Sequence, residues 1–489
     1  MTAYTSTLQP TASPVATTPC WNAHLIQRYD LSGPRYTSYP TAPQFDASVG
    51  VAEVQQALAR SNRAGRPLSL YFHVPFCNTV CYYCGCNKVI TANRARATPY
   101  LNRLAQEMTL YAAHLDRARP VEQLHWGGGT PTYLSDAEKE WLINEIARHF
   151  RLRDDDGGDY SIEIHPGETA PDSLDCLRGL GFNRLSMGIQ DFDGAVQKAT
   201  NRFNSVEQVR ELVERARALG FHSIGFDLIY GLPRQTRRSF DKTLDAVIAL
   251  SPDRLSVFGY AHMPHLFKTQ KQIHADELPQ AAEKLDILRN TIERLLAEGY
   301  VYIGMDHFAK PGDRLALAQR EGRLQRNFQG YTTHKECDLI AMGVSAISAI
   351  DDLYVQNLKE LEGYQSTVDA GQWPLFRGLR RSEDDRIRAA VIEELICHFA
   401  LDFTVIEQRF GIRCRDYFAP ELAELEPLAA DGLLELAADG IRVTAAGRLL
   451  IRRVCMVFDA YLQGSRNNQQ SSLNNQQSLH NTQRYSRII

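Results

Sequence analysis

The sequence predicts an α/β protein: an open, partial (β/α)6 barrel of the TIM type, with an N-terminal arm and a mainly helical C-terminal domain. Three observations carry this prediction. Six strand–helix units follow one another between Leu68 and Gly299, the pattern of a parallel sheet with outer helices. Six units are too few to close an eight-stranded barrel. Past residue 380 or so the strand signals give way to helical ones.

The first strand is Leu68–Val74, and the loop after it holds four of the ten cysteines, Cys77, Cys81, Cys84 and Cys86. Thr98-Pro99 opens a helix, with proline where its missing N–H is harmless; Leu101, Leu104, Met108, Tyr111 and Leu115 mark its inner face. Gln123–Trp126 is the second strand, followed by the turn Gly127-Gly128-Gly129-Thr130. Ser135 and Glu138 form a capping box for the next helix. Tyr160–His165 is the third strand, with a short helix starting at 170–172, and Arg184–Ile189 is the fourth. Ser205 and Gln208 cap a helix that stops at Gly220. Ser223–Ile229 is the fifth strand, Arg237–Leu250 a helix, Arg254–Tyr260 the sixth strand, and a long helix ends at Gly299. Ligands in such folds sit at the carboxyl ends of the strands, which places the cysteine loop and the glycine turn on one rim.

On either side of this unit the pattern is different. Residues 1–22 have the composition of a disordered segment. A short helix from Ala23, the turn-rich arm 32–41 and an amphipathic piece over 51–60 lead into the barrel. Domain boundaries are expected at 50/51, 375/376 and 463/464. In the C-terminal domain, helices over 384–399, 403–410 and 422–431, a hairpin over 433–443 and a last helix over 445–462 follow the order of a winged helix. Acidic and basic residues are mixed there and the net charge is −4, so no phosphate-binding stripe forms and nucleic acid is not an expected partner. The near-apolar run 339–350 is too short to span a bilayer. The start has neither the basic nor the apolar region of a secretory signal, and the other six cysteines are scattered singly, as in a reducing cytoplasm. The polar tail 464–489, Asn/Gln/Ser-rich to about residue 483, completes the chain.

The spacing C-x3-C-x2-C-x-C supports iron–sulfur ligation. Structural zinc more often takes paired ligands from separated segments. Cys77, Cys81 and Cys84 can hold three corners of a [4Fe–4S] cube and leave one iron open for a small molecule, the signature of radical S-adenosylmethionine (SAM) enzymes. Cys86 is left outside this ligand set. Tyr71 and His73 share a face of the first strand, and Glu163 and His165 a face of the third; Tyr71 and His73, beside the loop, are candidate catalytic residues. Gln190, Arg202 and Asp227 follow or end the next strands on the same rim. A glycine turn behind a strand lets a backbone approach a ligand closely.

The chain resembles the oxygen-independent coproporphyrinogen III oxidases in the cysteine loop and in the stretches SGPRYTSYPTA (32–42), LHWGGGTPTYL (124–134), GFNRLSMGIQDF (181–192), DLIYGLP (227–233), GMDHFA (304–309), RNFQGYTT (326–333) and MGVSAIS (342–348). The resemblance implies a radical SAM decarboxylase of haem biosynthesis that turns two propionates of coproporphyrinogen III into vinyl groups. It implies a [4Fe–4S] cluster, two SAM molecules, an unidentified electron donor and a cytoplasmic monomer. By position, Tyr71, Gly129 and Glu163 belong to the first SAM. Tyr83, Thr130, Gln190, Arg202 and Asp227 belong to the second, Ala261 and Ile347 line the pocket, and Gln329 is a catalytic candidate near the substrate. His165 stands where the family suggests an acid, and Gly259 where it suggests Asn. The nearest rival is the haem-chaperone branch, which has Phe at the position of Cys86; Cys86 and the long 326–333 segment favour the oxidase. A radical SAM methyltransferase and a winged-helix redox regulator are the more distant alternatives. A substrate with four carboxylates calls for cations, and Arg35 and Arg202 are candidates.

Overall fold

The structure, a computed structural model, describes residues 18–334 and 336–462. The expectations for 1–17 and for the tail lie outside these residues. Six strands form the expected parallel series: β1 (Leu68–Val74), β2 (Pro120–Gly128), β3 (Asp159–Ile164), β4 (Arg184–Gln190), β5 (Ser223–Tyr230) and β6 (Arg254–Gly259). Each pairs in parallel with the next. Helices Ala97–Ala112, Asp136–His149, Ser173–Gly179, Val206–Ala218 and Arg237–Leu250 connect them, and Ala281–Ala297 follows β6. The boxes Ser135/Glu138 and Ser205/Gln208 cap their helices as expected.

Side chains alternate across the sheet. Leu70, Phe72, Leu124, Trp126, Ile162, Met187, Phe226 and Val257 are fully buried beneath the helices. The alternate positions carry Tyr71, His73, His125, Glu163, Ser186 and Asp227 on the opposite, barrel-interior face. Burying both faces holds the sheet, and the interior face is left polar.

The sheet continues past the six units. β7 (Val301–Gly304) and β8 (His307–Ala309) add antiparallel strands beyond β6. On the other side β9 (Asp338–Met342) joins β1 in parallel, and β10 (Ile347–Ile350), β11 (Leu353–Asn357) and β12 (Leu375–Arg380) follow antiparallel. The order is β7-β8-β6-β5-β4-β3-β2-β1-β9-β10-β11-β12. The apolar run 339–350 is therefore most of β9, a turn and β10. The position 375/376 falls inside β12, so the sheet runs on to Arg380.

The C-terminal region packs helices Glu383–His398, Phe403–Phe410 and Ala419–Ala430 on a three-stranded sheet of Ala400–Asp402, Gly440–Val443 and Leu434–Leu436. The single helix expected over 445–462 is instead a 3-10 turn, Gly447–Leu450, a short helix, Ile451–Cys455, and another 3-10 turn, Met456–Phe458. Contacts with the N-terminal arm shape this segment: Arg452 donates to the carbonyls of Gly33 and Pro34, and the Tyr36 hydroxyl donates to Asp459 at 3.0 Å. Tertiary hydrogen bonds here override helical periodicity. The arm is thereby strapped between barrel and C-terminal domain, with Arg35 paired to Asp306 at 2.6 Å.

Candidate active site

The cysteine loop is closed at its base. Phe76–Cys77 pairs with Val89–Ile90, and Val89 N donates to Pro75 O at 2.7 Å. Neighbouring elements hold its crown: Asn201 Nδ2 donates to Val80 O at 2.8 Å, Gln270 Nε2 to Tyr83 O at 2.9 Å and Thr269 Oγ1 to Cys84 O at 3.1 Å. Each of three sulfurs meets a donor: Thr130 Oγ1 at 3.6 Å from Cys77, Arg202 Nη1 at 3.8 Å from Cys81 and Cys86 N at 3.4 Å from Cys84. Burial pushes the Cys77 thiol up to about 11. Hydrogen bonding from Cys86 and the nearby Lys88 ammonium outweigh burial and bring Cys84 down to about 6. A donor at each sulfur suits thiolates, and such outer contacts tune iron–sulfur centres.

Among the described residues no three His, Cys, Asp or Glu side chains stand at the spacing that grips a single ion. A four-iron cube binds each thiolate through a different iron, so its ligands stand wider apart. The three thiols of Cys77, Cys81 and Cys84, on one loop and each with a nearby donor, are of the ligand type that holds an iron–sulfur cluster.

The glycine turn is shaped by the loop it leans on. Gly128 has φ +112°, and a Cβ there would fall 2.6 Å from the His73 ring. A Cβ on Gly129 would fall 2.6 Å from Pro75 O and 2.8 Å from Phe76 O. Gly129 N already donates to Val74 O at 2.8 Å, Thr130 N to Phe76 O at 2.9 Å and Gly128 N to Glu163 Oε2 at 3.2 Å. These N–H groups serve the protein, so the turn meets a ligand with other atoms.

Inside the rim, Tyr71 Oη lies 3.1 Å from His73 Nδ1, and His73 Nε2 lies 2.9 Å from Asn87 O. Tyr71 stacks on His125, ring centroids 5.8 Å apart. His125 bridges Ser161 at 2.6 Å and Glu163 at 3.3 Å. Burial works to raise the Glu163 carboxyl, but His125 and Gly128 N outweigh it and hold it below its ordinary value. Asp227 accepts from Ser186 at 2.9 Å, and burial raises it to about 6. His125 and Ser161 are additions to the sequence reading; the period of two from Gly127 along β2 is the signal that finds His125.

Arg202, Gln190 and His165 gather beside Cys81. Arg202 donates to Gly188 O as well as to Cys81. Arg202 Nε, Gln190 Oε1 and His165 Nδ1 are buried with no hydrogen-bond partner, and Gln190 has φ +67°. Unsatisfied buried polar atoms in a native fold call for a partner such as an ordered water, an ion or a ligand. His165 is not on β3 as expected: Pro166 ends the strand, and His165 starts the 3-10 turn Pro166–Glu168. Burial, then the Arg202 charge, push it down to about 3, so it is neutral where the family suggests an anion. A side chain on Gly259 would meet Tyr230 Oη at 3.0 Å.

Tyr83 packs with Tyr82 against Val196, Leu232, Tyr260 and Ile273. Ala261 follows β6. Leu339 pairs with Ala349, which sets Ile347 across from Ala341, itself the partner of Tyr71 in β1. Gln329 reaches the barrel from the hairpin Gln325–Asn327/Gly330–Thr332 and helps to line a cavity of about 340 Å³ with Glu163, Asp227, Arg184, Arg254 and His307. Tyr71 and His73 border this cavity through His125 and are not among its lining residues. A hollow of about 660 Å³ beside Ser251, Tyr300 and Lys310 opens at the amino-terminal ends of β5 and β6 and contains none of these groups.

The fold and loop together define a class. Residues 71–247 match the Radical SAM superfamily and residues 382–450 the HemN C-terminal domain. Two curated relatives, both named oxygen-independent coproporphyrinogen III oxidase, come from Pseudomonas aeruginosa and Escherichia coli. They are 56% and 52% identical to this chain, each over 92% of it and 98% of the relative. The solved structure of coproporphyrinogen III oxidase (HemN) from Escherichia coli, described as a radical SAM enzyme, superposes with a TM-score of 0.86 at 50% identity, covering 91% of this chain and all of that one. The chain belongs to the oxygen-independent coproporphyrinogen III oxidases. Among the described residues no helix is long and apolar enough to cross a membrane.

Proposed function

We propose that this chain converts coproporphyrinogen III to protoporphyrinogen IX without oxygen. Each of two propionates gives up one hydrogen atom from its β-carbon, then carbon dioxide and one electron, which an external one-electron acceptor takes, leaving a vinyl group. The observation that carries the reading is the cysteine loop, seated at the carboxyl end of β1 over a polar barrel cavity in a chain of this family. A cluster and SAM, when bound, supply a carbon radical able to take hydrogen from an unactivated carbon.

The chain's own residues hold and orient. Cys77, Cys81 and Cys84 would hold the cluster, with Thr130, Arg202 and the Cys86 N–H easing the charge on their sulfurs. Tyr71, Gly129 and the ionised Glu163 would take one SAM, and Glu163 offers its amino group a carboxylate. Tyr83, Thr130, Gln190, Arg202 and Asp227 would serve a second SAM; the unpaired atoms of Arg202 and Gln190 support this. Ala261 and Ile347 would close the pocket's sides. His73, buried and held below its ordinary value by desolvation, is neutral and fixes Tyr71. The free state of Cys20, Cys176, Cys337, Cys397, Cys414 and Cys455 supports a reducing cytoplasm. We further infer a monomer served by an external one-electron donor.

Anaerobic incubation of the reconstituted protein with coproporphyrinogen III, SAM and a chemical reductant tests the reading. Protoporphyrinogen IX with carbon dioxide and 5′-deoxyadenosine is expected. Tight haem binding without turnover would replace the oxidase reading by the chaperone one.

A further inference from the structure

The hairpin Gln325–Asn327/Gly330–Thr332 carries more buried donors than its own fold uses. It is held rigidly. Tyr331 Oη donates to Ile396 O at 3.0 Å, and Phe328 packs on Phe45 and Tyr354, ring centroids 6.3 and 5.4 Å away. Arg326 pairs with Tyr331 across the hairpin, and its guanidinium stacks on the Tyr331 ring, 4.6 Å from the centroid. Tyr331 is a wall of the barrel cavity, as are Gln329 and His307.

Nε and Nη1 of Arg326 are buried and have no hydrogen-bond partner, and the same holds for Gln329 Nε2 and Arg254 Nη2. Arg254 has Asp313 at 2.9 Å to balance its charge. Among the described residues no ion pair is found for Arg326. A guanidinium does not lose its proton at any ordinary pH. Arg326 as a whole is half-buried, but buried guanidinium donors without acceptors are unfavourable unless something supplies them. Burial, reinforced by the Arg326 charge, drives His307 down to about 3. His307 is therefore neutral; Arg326 stacks on the lining residue Tyr331 without lining the cavity itself, and the lining cations Arg184 and Arg254 are already paired to Asp159 and Asp313.

We propose that Arg326, with Gln329 beside it, receives a propionate carboxylate of the tetrapyrrole and so fixes how the macrocycle lies under the cysteine loop. The proposal rests on the reading that the substrate is coproporphyrinogen III. An anionic carboxylate supplies the acceptors that the guanidinium lacks, in a charge-assisted contact. The residue positions substrate and takes no part in bond breaking.

The test is anaerobic titration of the cluster-loaded enzyme with coproporphyrin III, the fluorescent oxidised form, which keeps all four carboxylates. Arg326→Gln and Arg326→Met should bind it about ten- to a hundredfold more weakly, with cluster absorption equal to wild type. Arg326→Lys should recover part of the loss. In the substrate-free enzyme the Met variant should melt no lower than wild type, since it removes buried donors that have no acceptor; a merely structural arginine would give a lower midpoint. Wild-type affinity in both the Gln and Met variants overturns the proposal. So does weaker binding joined to a lowered midpoint in Arg326→Met. A wild-type enzyme that neither binds coproporphyrin III nor decarboxylates its reduced form overturns the substrate reading itself.

Discussion

Glu107 is a fully buried carboxylate that braces the cysteine loop from behind. It accepts from Gly343 N at 2.8 Å, Asn357 Nδ2 at 2.6 Å and Tyr364 Oη at 2.6 Å. The same turn meets Tyr100, which receives Val344 N at 3.1 Å and donates to His73 O at 2.7 Å. Glu107 therefore pins the strand end from which the loop springs. Asn357 keeps a second acceptor in Gly343 O at 2.9 Å, so Glu107→Ala orphans chiefly the Gly343 and Tyr364 donors. At about 1–3 kcal/mol for each unsatisfied donor, the loss is about 2–6 kcal/mol.

Glu107→Gln tests the charge separately. Burial outweighs the three donors and raises the carboxyl from its ordinary 4.5 to about 7, and at about 1.4 kcal/mol per pH unit this corresponds to about 3 kcal/mol. The folded-state value is raised, so the contribution is fully present below pH 4.5 or so and is lost as pH rises through about 7. Wild type should therefore lose stability relative to Glu107→Gln between pH 5 and pH 8. Thermal unfolding of the three proteins under anaerobic conditions at both pH values is the assay. A Glu107→Ala midpoint equal to wild type, or a Gln-to-wild-type difference that does not change with pH, would refute the reasoning.

Other outcomes follow from the same geometry. Cys81→Ser should lose iron and visible iron–sulfur absorption after reconstitution; retention of both contradicts its place as a ligand. Gly129→Ala should lower cluster occupancy, because its Cβ meets the carbonyls of Pro75 and Phe76 at 2.6 and 2.8 Å and backbone must move. Normal iron content in that variant counts against the packing account. Arg35→Ala should raise KM for coproporphyrinogen III, since it leaves Asp306 unpaired and removes the cation 5.7 Å from the ring centroid of Phe258, which lines the cavity; an unchanged KM speaks against a role for the arm at the site.

The barrel was legible because its units repeat: apolar alternation, a capping box and a terminal glycine recur between Leu68 and Gly299. β7 to β12 were not, since they are short strands, antiparallel except where β9 meets β1, without the helical partners that announce a βα unit. The last helix failed for a different reason. Its periodicity over 445–462 is sound locally, but Arg452 and Asp459 hydrogen-bond to an arm more than 400 residues away in sequence. In the site, Tyr71, His73 and Glu163 lie on one face as the period of two along β1 and β3 predicts. His165 was misplaced because Pro166 ends the strand one residue early. His125 was passed over although it stands two residues before the glycine turn. Arg326 gives no signal in sequence, where an arginine in a polar loop reads as solvent-exposed; only its stacked, unpaired placement on Tyr331 sets it apart.

At the centre of the proposed function, Cys77, Cys81 and Cys84 would hold a cluster which, with SAM, supplies the radical that starts propionate decarboxylation. Carbon dioxide released from coproporphyrinogen III labelled in its propionate carboxyls, measured anaerobically with and without SAM, tests it most directly. Release that requires SAM and disappears in Cys81→Ser is the predicted result. Release without SAM, or undiminished release from Cys81→Ser, would contradict it.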